Sequence, residues 1–109
     1  MKLSRGDVVV CSLQGDYGKP RPAVIVQSNL FNETHASIVI CPITSHLIDA
    51  PLFRIKVEPK PSTGLRTESQ VMVDKIVAIS REKISKNVGV LPSDVMSEVN
   101  AALALWIGT

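Results

Sequence analysis

The chain has 109 residues and a formal net charge of +2, with 45% hydrophobic and 20% charged residues, which is typical of one globular domain and excludes a disordered chain. No apolar run approaches the roughly 18 residues of a membrane span, and the N-terminus has no apolar signal segment, so we expect a cytoplasmic protein without a membrane partner. Residues 91–109 contain no Lys or Arg, which leaves a cationic body suited to a polyanionic ligand on one face.

Three apolar, β-branched runs at residues 7–13, 23–27 and 36–41 predict three strands. A loop rich in glycine and proline joins the first two strands. Residues 28–35 are polar and broken, and we expect one helical turn there. The third strand is expected to stop at Pro42, because proline cannot donate a ladder hydrogen bond.

The second half of the chain predicts shorter strands and then a helix. Residues 52–57 alternate apolar and polar side chains, so this strand has one solvent-facing side. Further strands are expected at residues 69–73 and 76–79. A helix is predicted to follow Ser93 as its N-cap, with Asp94 in the first turn. The apolar stripe that should pack on the sheet consists of Val95, Val99, Leu103 and Trp106.

These elements predict a single domain over residues 1–109, mainly β with a C-terminal helix. Five or six short strands joined by turns favour a small antiparallel β-barrel, closed or half-open. The first three strands are apolar on both alternating faces, so more than one face must be buried. The helix or another subunit would cover the second face, and this pattern favours a homodimer.

Motifs for nucleotide binding, zinc proteases and serine hydrolases are missing, and metal ligands do not cluster. Cys11 and Cys41 lie in separate apolar runs without zinc-site spacing, and we interpret them as reduced core residues. His35 and His46 have no patterned partner. We therefore expect no metal and no cofactor, and any catalysis must use charged and hydroxyl side chains presented from loops.

Two residues are the candidates for such chemistry. Pro20 and Pro22 restrict the backbone around Arg21, so its guanidinium is either presented rigidly to a phosphate or belongs to a surface arginine in a stiff turn. Thr44 follows Pro42 at a strand end, where its hydroxyl either donates to a phosphate oxygen or caps a turn. The residues alone leave both alternatives open.

Short motifs along nearly the whole chain resemble, in order, those of the MazF/PemK (Kid-type) toxin family. Arg5-Gly6-Asp7 before a valine run resembles the family's opening strand, and Arg21-Pro22-Ala23-Val24-Ile25-Val26 resembles its Arg-Pro-hydrophobic motif. Cys41-Pro42-Ile43-Thr44-Ser45 resembles its Pro-Ile-Thr-Ser segment. The motifs that follow in register are Gly64-Leu65, Val73-Asp74-Lys75-Ile76, Arg81, Val88-Gly89 and the helix with Met96 and Val99.

The resemblance implies a small β-barrel like that of Src-homology-3 domains, shared by CcdB, MazF and PemK proteins, paired into a homodimer. It implies a sequence-specific, metal-independent endoribonuclease that cleaves single-stranded RNA (mRNA) to 2′,3′-cyclic phosphate and 5′-hydroxyl ends and so inhibits translation and growth. It also implies a separate acidic antitoxin whose partly disordered tail lies across the RNA groove.

The same resemblance assigns residue roles. Arg21 and Thr44 are the catalytic pair: the arginine stabilises the phosphorane charge, and the threonine bonds a non-bridging oxygen. Asp74 is the candidate general base, with a salt bridge or a hydrogen-bonded bulge as the alternative. The candidate RNA contacts are Tyr17, Lys19, Ser45, His46 and Arg66.

The chain departs from the family pattern in two respects. The loop before Arg21 is shorter than in many relatives, so their cleavage sequences cannot be transferred to it. Val77-Ala78-Ile79 stands where many relatives read Arg-Thr-Ile, and Met72 stands where some carry an arginine, so phosphate contacts of those relatives are lost here without a change at Arg21 or Thr44. Two alternative functions remain open: a gyrase-directed toxin like CcdB, whose Trp-Gly-Ile tail is similar to residues 106–109 here, and a non-catalytic β-barrel interaction module.

Overall fold

The computed structural model describes all of residues 1–109 as seven strands followed by one helix. Two 3₁₀ turns, Val73–Lys75 and Arg81–Lys83, interrupt the second half of the chain. The strands are β1 Asp7–Ser12, β2 Pro20–Ile25, β3 Ser37–Thr44, β4 Arg54–Val57, β5 Ser69–Met72, β6 Val77–Ser80 and β7 Ile84–Val90, and the helix α1 is Ser93–Ile107.

All seven strands belong to one antiparallel sheet with the order β4-β5-β3-β2-β1-β7, and β6 lies beside the first half of β3. The two end strands, β4 and β7, do not pair with each other, so the sheet is not closed. The mainly β fold with a C-terminal helix confirms the prediction, and of the two barrel forms expected, the structure has the half-open one.

The loop between β4 and β5 reaches across to β7 at the far end of the sheet. The Val90 amide donates a hydrogen bond to the Ser62 carbonyl, with an N–O distance of 2.9 Å. A side-chain carbon on Gly64 would lie 2.4 Å from the Val88 carbonyl oxygen, and one on Gly89 would lie 2.4 Å from that of Ser62. Glycine at both positions is therefore what lets the loop dock on β7.

Strand β3 is longer than the sequence predicts, and the expectation that it stops at Pro42 is wrong. Its first half, Ser37 to Ile40, pairs with β6, whereas Ile43 and Thr44 pair with β5. Pro42 falls in the gap between these two pairings, where the strand changes its neighbour. A proline is tolerated there, because no residue of β5 or β6 is opposite it.

Two further segments differ from the expectations. Residues 28–35 form consecutive turns rather than one helical turn. These turns surround the buried side chain of Asn32, which donates hydrogen bonds to the Gln27 carbonyl and to Asn29. Strand β7 is not predicted at all, because most of its residues are exposed and its sequence lacks an apolar face. Only its first residue, Ile84, is fully buried.

Consecutive residues of the central strands point to opposite faces of the sheet and belong to two separate hydrophobic cores. Val8 and Val24 belong to the core that includes the buried residues of α1. Val9 and Ile25 belong to the second core, which is completed by Ile84 and other residues of the same chain. Because these side chains are all less than 10% exposed in one chain, burial of the second face does not require a second subunit.

The C-terminal helix begins one residue earlier than predicted. Ser93 is its first residue, Pro92 occupies the cap position, and no side chain caps the helix. Trp106, predicted to be buried in the stripe, is 49% exposed. Its ring contacts that of Phe53, with 5.5 Å between the ring centroids. No helix in the structure has the length and hydropathy needed to cross a membrane. The buried helix residues are Val99, Ala102 and Leu103.

The docking of the β4–β5 loop can be tested with two matched glycine substitutions. Gly64 and Gly18 both have a positive φ, of +73° and +77°, but only Gly64 faces a neighbouring backbone. We expect Gly18→Ala to cost about 1 kcal/mol of unfolding free energy from backbone strain alone. Gly64→Ala should cost roughly 2 kcal/mol more, because its new methyl group overlaps the Val88 carbonyl. Urea denaturation of both variants measures the difference, and equal losses would contradict the docking argument.

Candidate functional site

A cavity of about 860 Å³ lies between the β1–β2 loop, the end of β3 and the docked β4–β5 loop. It is lined by 5 of the chain's 12 Lys and Arg residues but by only 1 of its 10 Asp and Glu residues. The charged side chains that line the cavity therefore carry a net charge of +4, against +2 for the whole chain. Such a cavity attracts polyanions. Its charged residues are Arg21, Arg54, Arg66, Lys75, Lys86 and Asp16.

The two predicted catalytic residues occupy matched positions on neighbouring antiparallel strands. Ala23 of β2 pairs with Pro42 of β3 at the end of this ladder, and Arg21 and Thr44 each lie two residues beyond that pair. Neighbouring strands of a sheet lie about 4.8 Å apart. Both side chains line the cavity, so they can reach one phosphate group between them.

Each of these two side chains is fixed by its strand. Arg21 lies within β2, paired with Cys11 of β1, rather than in the proline-restricted loop before the strand that the sequence predicts. The Thr44 hydroxyl oxygen accepts a hydrogen bond from the His46 amide at 3.0 Å, which is the turn-capping contact considered as an alternative. Because that contact uses the oxygen as an acceptor, the hydroxyl proton remains available to a phosphate oxygen.

Asp16 is the acidic residue in the cavity, and the sequence analysis missed it. Arg21 Nε donates to Asp16 Oδ2 at 3.3 Å, with 42% and 28% of the two side chains exposed. An ion pair this long and this accessible to water is weak and can exchange partners. The signal available in the sequence was its position five residues before Arg21, in a loop that contains Gly15 and Gly18.

Asp74 does not line the cavity; both of its carboxylate oxygens are bound by Arg54. The Nε–Oδ1 and Nη2–Oδ2 distances are 2.8 and 3.0 Å. The hydrogen bonds from Arg54 hold the pKa of Asp74 below its usual value, and the same pairing raises the pKa of Arg54. A carboxylate held ionised by two donors is a weak proton acceptor. The geometry therefore favours the salt-bridge interpretation of Asp74 over the general base.

The five predicted RNA contacts divide into two groups. Ser45, His46 and Arg66 line the cavity together with the catalytic candidates. Tyr17 and Lys19 lie outside it, in the β1–β2 loop, and both are exposed. The Tyr17 ring is fully solvent-accessible, so it does not shape the cavity wall.

Three cations of the cavity were also missed by the sequence analysis: Arg54, Lys75 and Lys86. For Arg54 a signal existed, because the period-two alternation of residues 52–57 puts it on the polar side of its strand. Lys86 could not be found, since β7 itself was not predicted. Lys75 follows the strand ending at Met72 by way of a 3₁₀ turn that the sequence does not reveal.

The structure contains no group of three His, Cys, Asp or Glu side chains close enough to hold a metal ion. Cys11 and Cys41 are buried, unpaired and in different cores, as predicted for core residues. Burial raises the pKa of Cys11 to about 11 and that of Cys41 to about 12. Both thiols are therefore protonated at neutral pH and unsuited to nucleophilic chemistry.

The half-open antiparallel sheet defines a small, mainly β protein, and the cationic cavity at its mouth is a candidate site for an anionic ligand. Residues 4–107 match the family described as PemK-like, MazF-like toxin of type II toxin-antitoxin system. The chain belongs to this family, and the match covers almost all of it. The family predicted from the motifs is thus confirmed.

Individual relatives agree with this assignment. The chain is 40% identical over 107 residues to the probable endoribonuclease MazF of Mycolicibacterium smegmatis, covering 97% of each chain. Its fold is similar to a mycobacterial endoribonuclease solved with its cognate antitoxin, at 27% identity and a TM-score of 0.78, covering 96% of this chain and 94% of that one. It is also similar to MazF of Deinococcus radiodurans, at 22% identity and a TM-score of 0.83, covering 100% and 99%. These comparisons lend no support to the gyrase-directed or non-catalytic alternatives.

The Arg54–Asp74 pair predicts a defined pH dependence of stability. Because the folded-state pKa of Asp74 lies below its ordinary value of 3.8, the stabilisation is fully present above that value and is lost as pH falls through the folded pKa. We expect Asp74→Asn to lower the unfolding free energy by roughly 2 kcal/mol at pH 7. The difference from the unsubstituted protein should shrink as the pH falls below about 4.

Urea denaturation between pH 7 and pH 3 measures this difference. The matched control is Glu68→Gln, which removes the exposed partner of Lys56 in the neighbouring ion pair of the same hairpin. That pair should contribute nothing measurable at any pH. A gap between Asp74→Asn and the unsubstituted protein that stays constant with pH would refute the role of the ion pair.

Proposed function

We propose that this chain is a sequence-specific, metal-independent endoribonuclease toxin that cleaves single-stranded RNA, including mRNA, to 2′,3′-cyclic phosphate and 5′-hydroxyl ends. The observation that carries the proposal is that Arg21 and Thr44, on the neighbouring strands β2 and β3, line the same cationic cavity. The 40% identity to a probable endoribonuclease supports the same activity. Cleavage of this kind would stop translation and growth.

Substrate binding follows from the charge of the cavity. The phosphates of single-stranded RNA replace counter-ions along the Lys and Arg side chains, so affinity should fall steeply with salt. A phosphate that enters the cavity beside Arg21 and Thr44 displaces Asp16 from its long contact with Arg21. The arginine then offers its planar set of donors to the phosphate oxygens.

In the chemical step, the ribose 2′-oxygen attacks the adjacent phosphorus while the 2′-hydroxyl loses its proton. Arg21 stabilises the negative charge of the phosphorane, and the Thr44 hydroxyl donates to a non-bridging oxygen. The bond from phosphorus to the 5′-oxygen then breaks, and that oxygen takes up a proton. The products are a cyclic phosphate on one fragment and a 5′-hydroxyl on the other. Each preorganised donor contributes about 3 kcal/mol to such a step.

We assign the general base to Asp16 rather than to Asp74. Asp16 is the carboxylate that lines the cavity, and water has access to it. It accepts the proton of the 2′-hydroxyl, Arg21 delivers a proton to the departing 5′-oxygen, and return of the proton from Asp16 to Arg21 restores both groups. Asp74 is committed to Arg54 and takes no part in proton transfer.

We further propose that the domain, residues 1–109, acts in the cytoplasm as a homodimer and is inhibited by an acidic antitoxin. The mycobacterial relative solved with its cognate antitoxin supports such a partner. The contact between Arg21 and Asp16 supports it too, since it indicates that a carboxylate fits at the phosphate position. Exposed Leu105 and Ile107 at the end of α1 offer apolar surface for pairing with a second copy.

Replacing Arg21 by Ala tests the proposed activity. We expect kcat to fall by at least about 10²–10³, because both a charge-stabilising donor and the proton donor to the 5′-oxygen are lost, while the fold persists because Arg21 is 42% exposed. RNA digested in EDTA, followed by mapping of 5′ ends, measures the activity. The control is Lys83→Ala, which removes an exposed cation outside the cavity. Unchanged cleavage by the Arg21 variant would disprove the proposal.

The identity of the base is tested by comparing Asp16→Asn with Asp74→Asn. Loss of a general base lowers kcat by about 10²–10⁴, and we expect this effect for Asp16 only. The acidic limb of the pH–rate profile should disappear in the Asp16 variant and persist in the other. A collapse of kcat in Asp74→Asn with a normal rate in Asp16→Asn would return the base to Asp74.

A further inference from the structure

Arg54 lines the cavity but has no role in the chemistry described so far. It lies on β4, and the strand order β4-β5-β3-β2 puts three interstrand steps between it and Arg21. Strands in a sheet are about 4.8 Å apart, so the two backbone positions are separated by roughly 14 Å along the sheet. Arg54 therefore belongs to a different part of the cavity wall from Arg21.

The hydrogen-bonding pattern of Arg54 leaves one end of its guanidinium free. Nε and Nη2 each donate to Asp74. Nη1 makes no hydrogen bond within the chain, and it is not buried, since the structure has no buried side-chain nitrogen or oxygen without a partner. A guanidinium has five N–H donors. Those on Nη1 therefore remain for a ligand in the cavity.

The Arg54 side chain is also held in place before any ligand binds. Only 10% of it is exposed. Its Cζ lies 6.0 Å from the centroid of the Phe53 ring, which in turn contacts Trp106 of α1. Asp74 is fixed within the 3₁₀ turn after β5. A donor whose geometry is set in advance loses little conformational entropy on binding.

Pairing with Asp74 changes what Arg54 can contribute. The carboxylate nearly cancels the charge of the guanidinium at long range, so Arg54 adds little to the general attraction of the cavity for anions. At hydrogen-bonding distance its free donors still recognise an oxyanion. Exposed Arg66, Lys75 and Lys86 supply the long-range attraction. Arg54 is thus suited to binding one phosphate of the RNA strand at a defined position.

We propose that Arg54 binds, through Nη1, a phosphate flanking the scissile one, and that Asp74 is the residue that positions Arg54 for this contact. The proposal rests on the RNA cleavage proposed above and deepens it. It assigns two side chains that set the register of the RNA strand in the cavity, and it accounts for Asp74 without a proton-transfer role.

The expected signature is a split between KM and kcat. A contact to a non-reacting phosphate is made equally in the ground and transition states, so its loss raises KM and spares kcat. We expect Arg54→Gln to raise KM about tenfold and Asp74→Asn to raise it about threefold to tenfold, with kcat within about twofold of the unsubstituted enzyme. The control is Lys56→Gln on the same strand, which removes an exposed cation outside the cavity and should leave both constants unchanged.

The decisive experiment uses oligonucleotides with one neutral methylphosphonate each. The cut site is first mapped with the unsubstituted enzyme, and each of the three phosphates on either side is then neutralised in turn. At one position, neutralisation should raise KM about tenfold for the unsubstituted enzyme and for Lys56→Gln, but not further for Arg54→Gln. Such non-additivity identifies the phosphate that Arg54 contacts.

The outcomes separate this inference from the proposed function. If the unsubstituted enzyme cleaves RNA and the Arg54→Gln effect is additive at all six positions, the Arg54 contact is overturned and the nuclease stands. If the unsubstituted enzyme does not cleave RNA, the proposed function itself fails.

A second variant guards against loss of folding when Asp74 is left without its partner. The double variant Arg54→Gln/Asp74→Asn replaces the ion pair by two amides that can bond to each other. It should fold and show the same rise in KM as Arg54→Gln. An unchanged KM in the folded double variant would overturn the inference.

Discussion

The register of β2 against β3 is the constraint on which the rest of the structure depends. A slip of one residue in an antiparallel pair turns every side chain of the strand to the opposite face. Here it would turn Arg21 away from the cavity that Thr44 also lines and would exchange the residues of the two cores. Because Val24 and Ile25 are both completely buried, on opposite faces, neither core tolerates the slip. Core packing on two faces thus fixes the geometry of the site.

The half-open form of the sheet follows from the change of partner along β3. With β6 beside its first half and β5 beside its second, the strand belongs to two groups of strands that diverge after Pro42. The cavity occupies the mouth between them, and Thr44 ends the shared strand there. The β4–β5 loop, docked on β7 through Gly64 and Gly89, supplies the opposite wall.

The sequence predicts the elements whose burial leaves a local pattern, but it does not predict contacts between residues that are distant along the chain. Apolar periodicity correctly located six of the seven strands and the helix, because burial leaves a pattern within each segment. It missed β7, whose exposed residues carry no such pattern. Family motifs identified Arg21 and Thr44 as candidates for one site. The partner of Asp74 could not be identified, since its contact with Arg54 is made across 20 residues and requires the register that sets Arg54 opposite Met72.

The two arginine–carboxylate ion pairs near the cavity differ in distance and in solvent exposure, and this difference suits them to different roles. The pair of Arg21 and Asp16 has one contact at 3.3 Å and is open to water, so a phosphate can replace the carboxylate and release it as a base. The pair of Arg54 and Asp74 has two contacts, at 2.8 and 3.0 Å, with little exposure. Breaking it would leave a charge both desolvated and unpaired, so it persists and keeps Arg54 fixed in the cavity wall. An exchangeable pair suits the reacting phosphate, and a permanent pair suits a phosphate that must only be held.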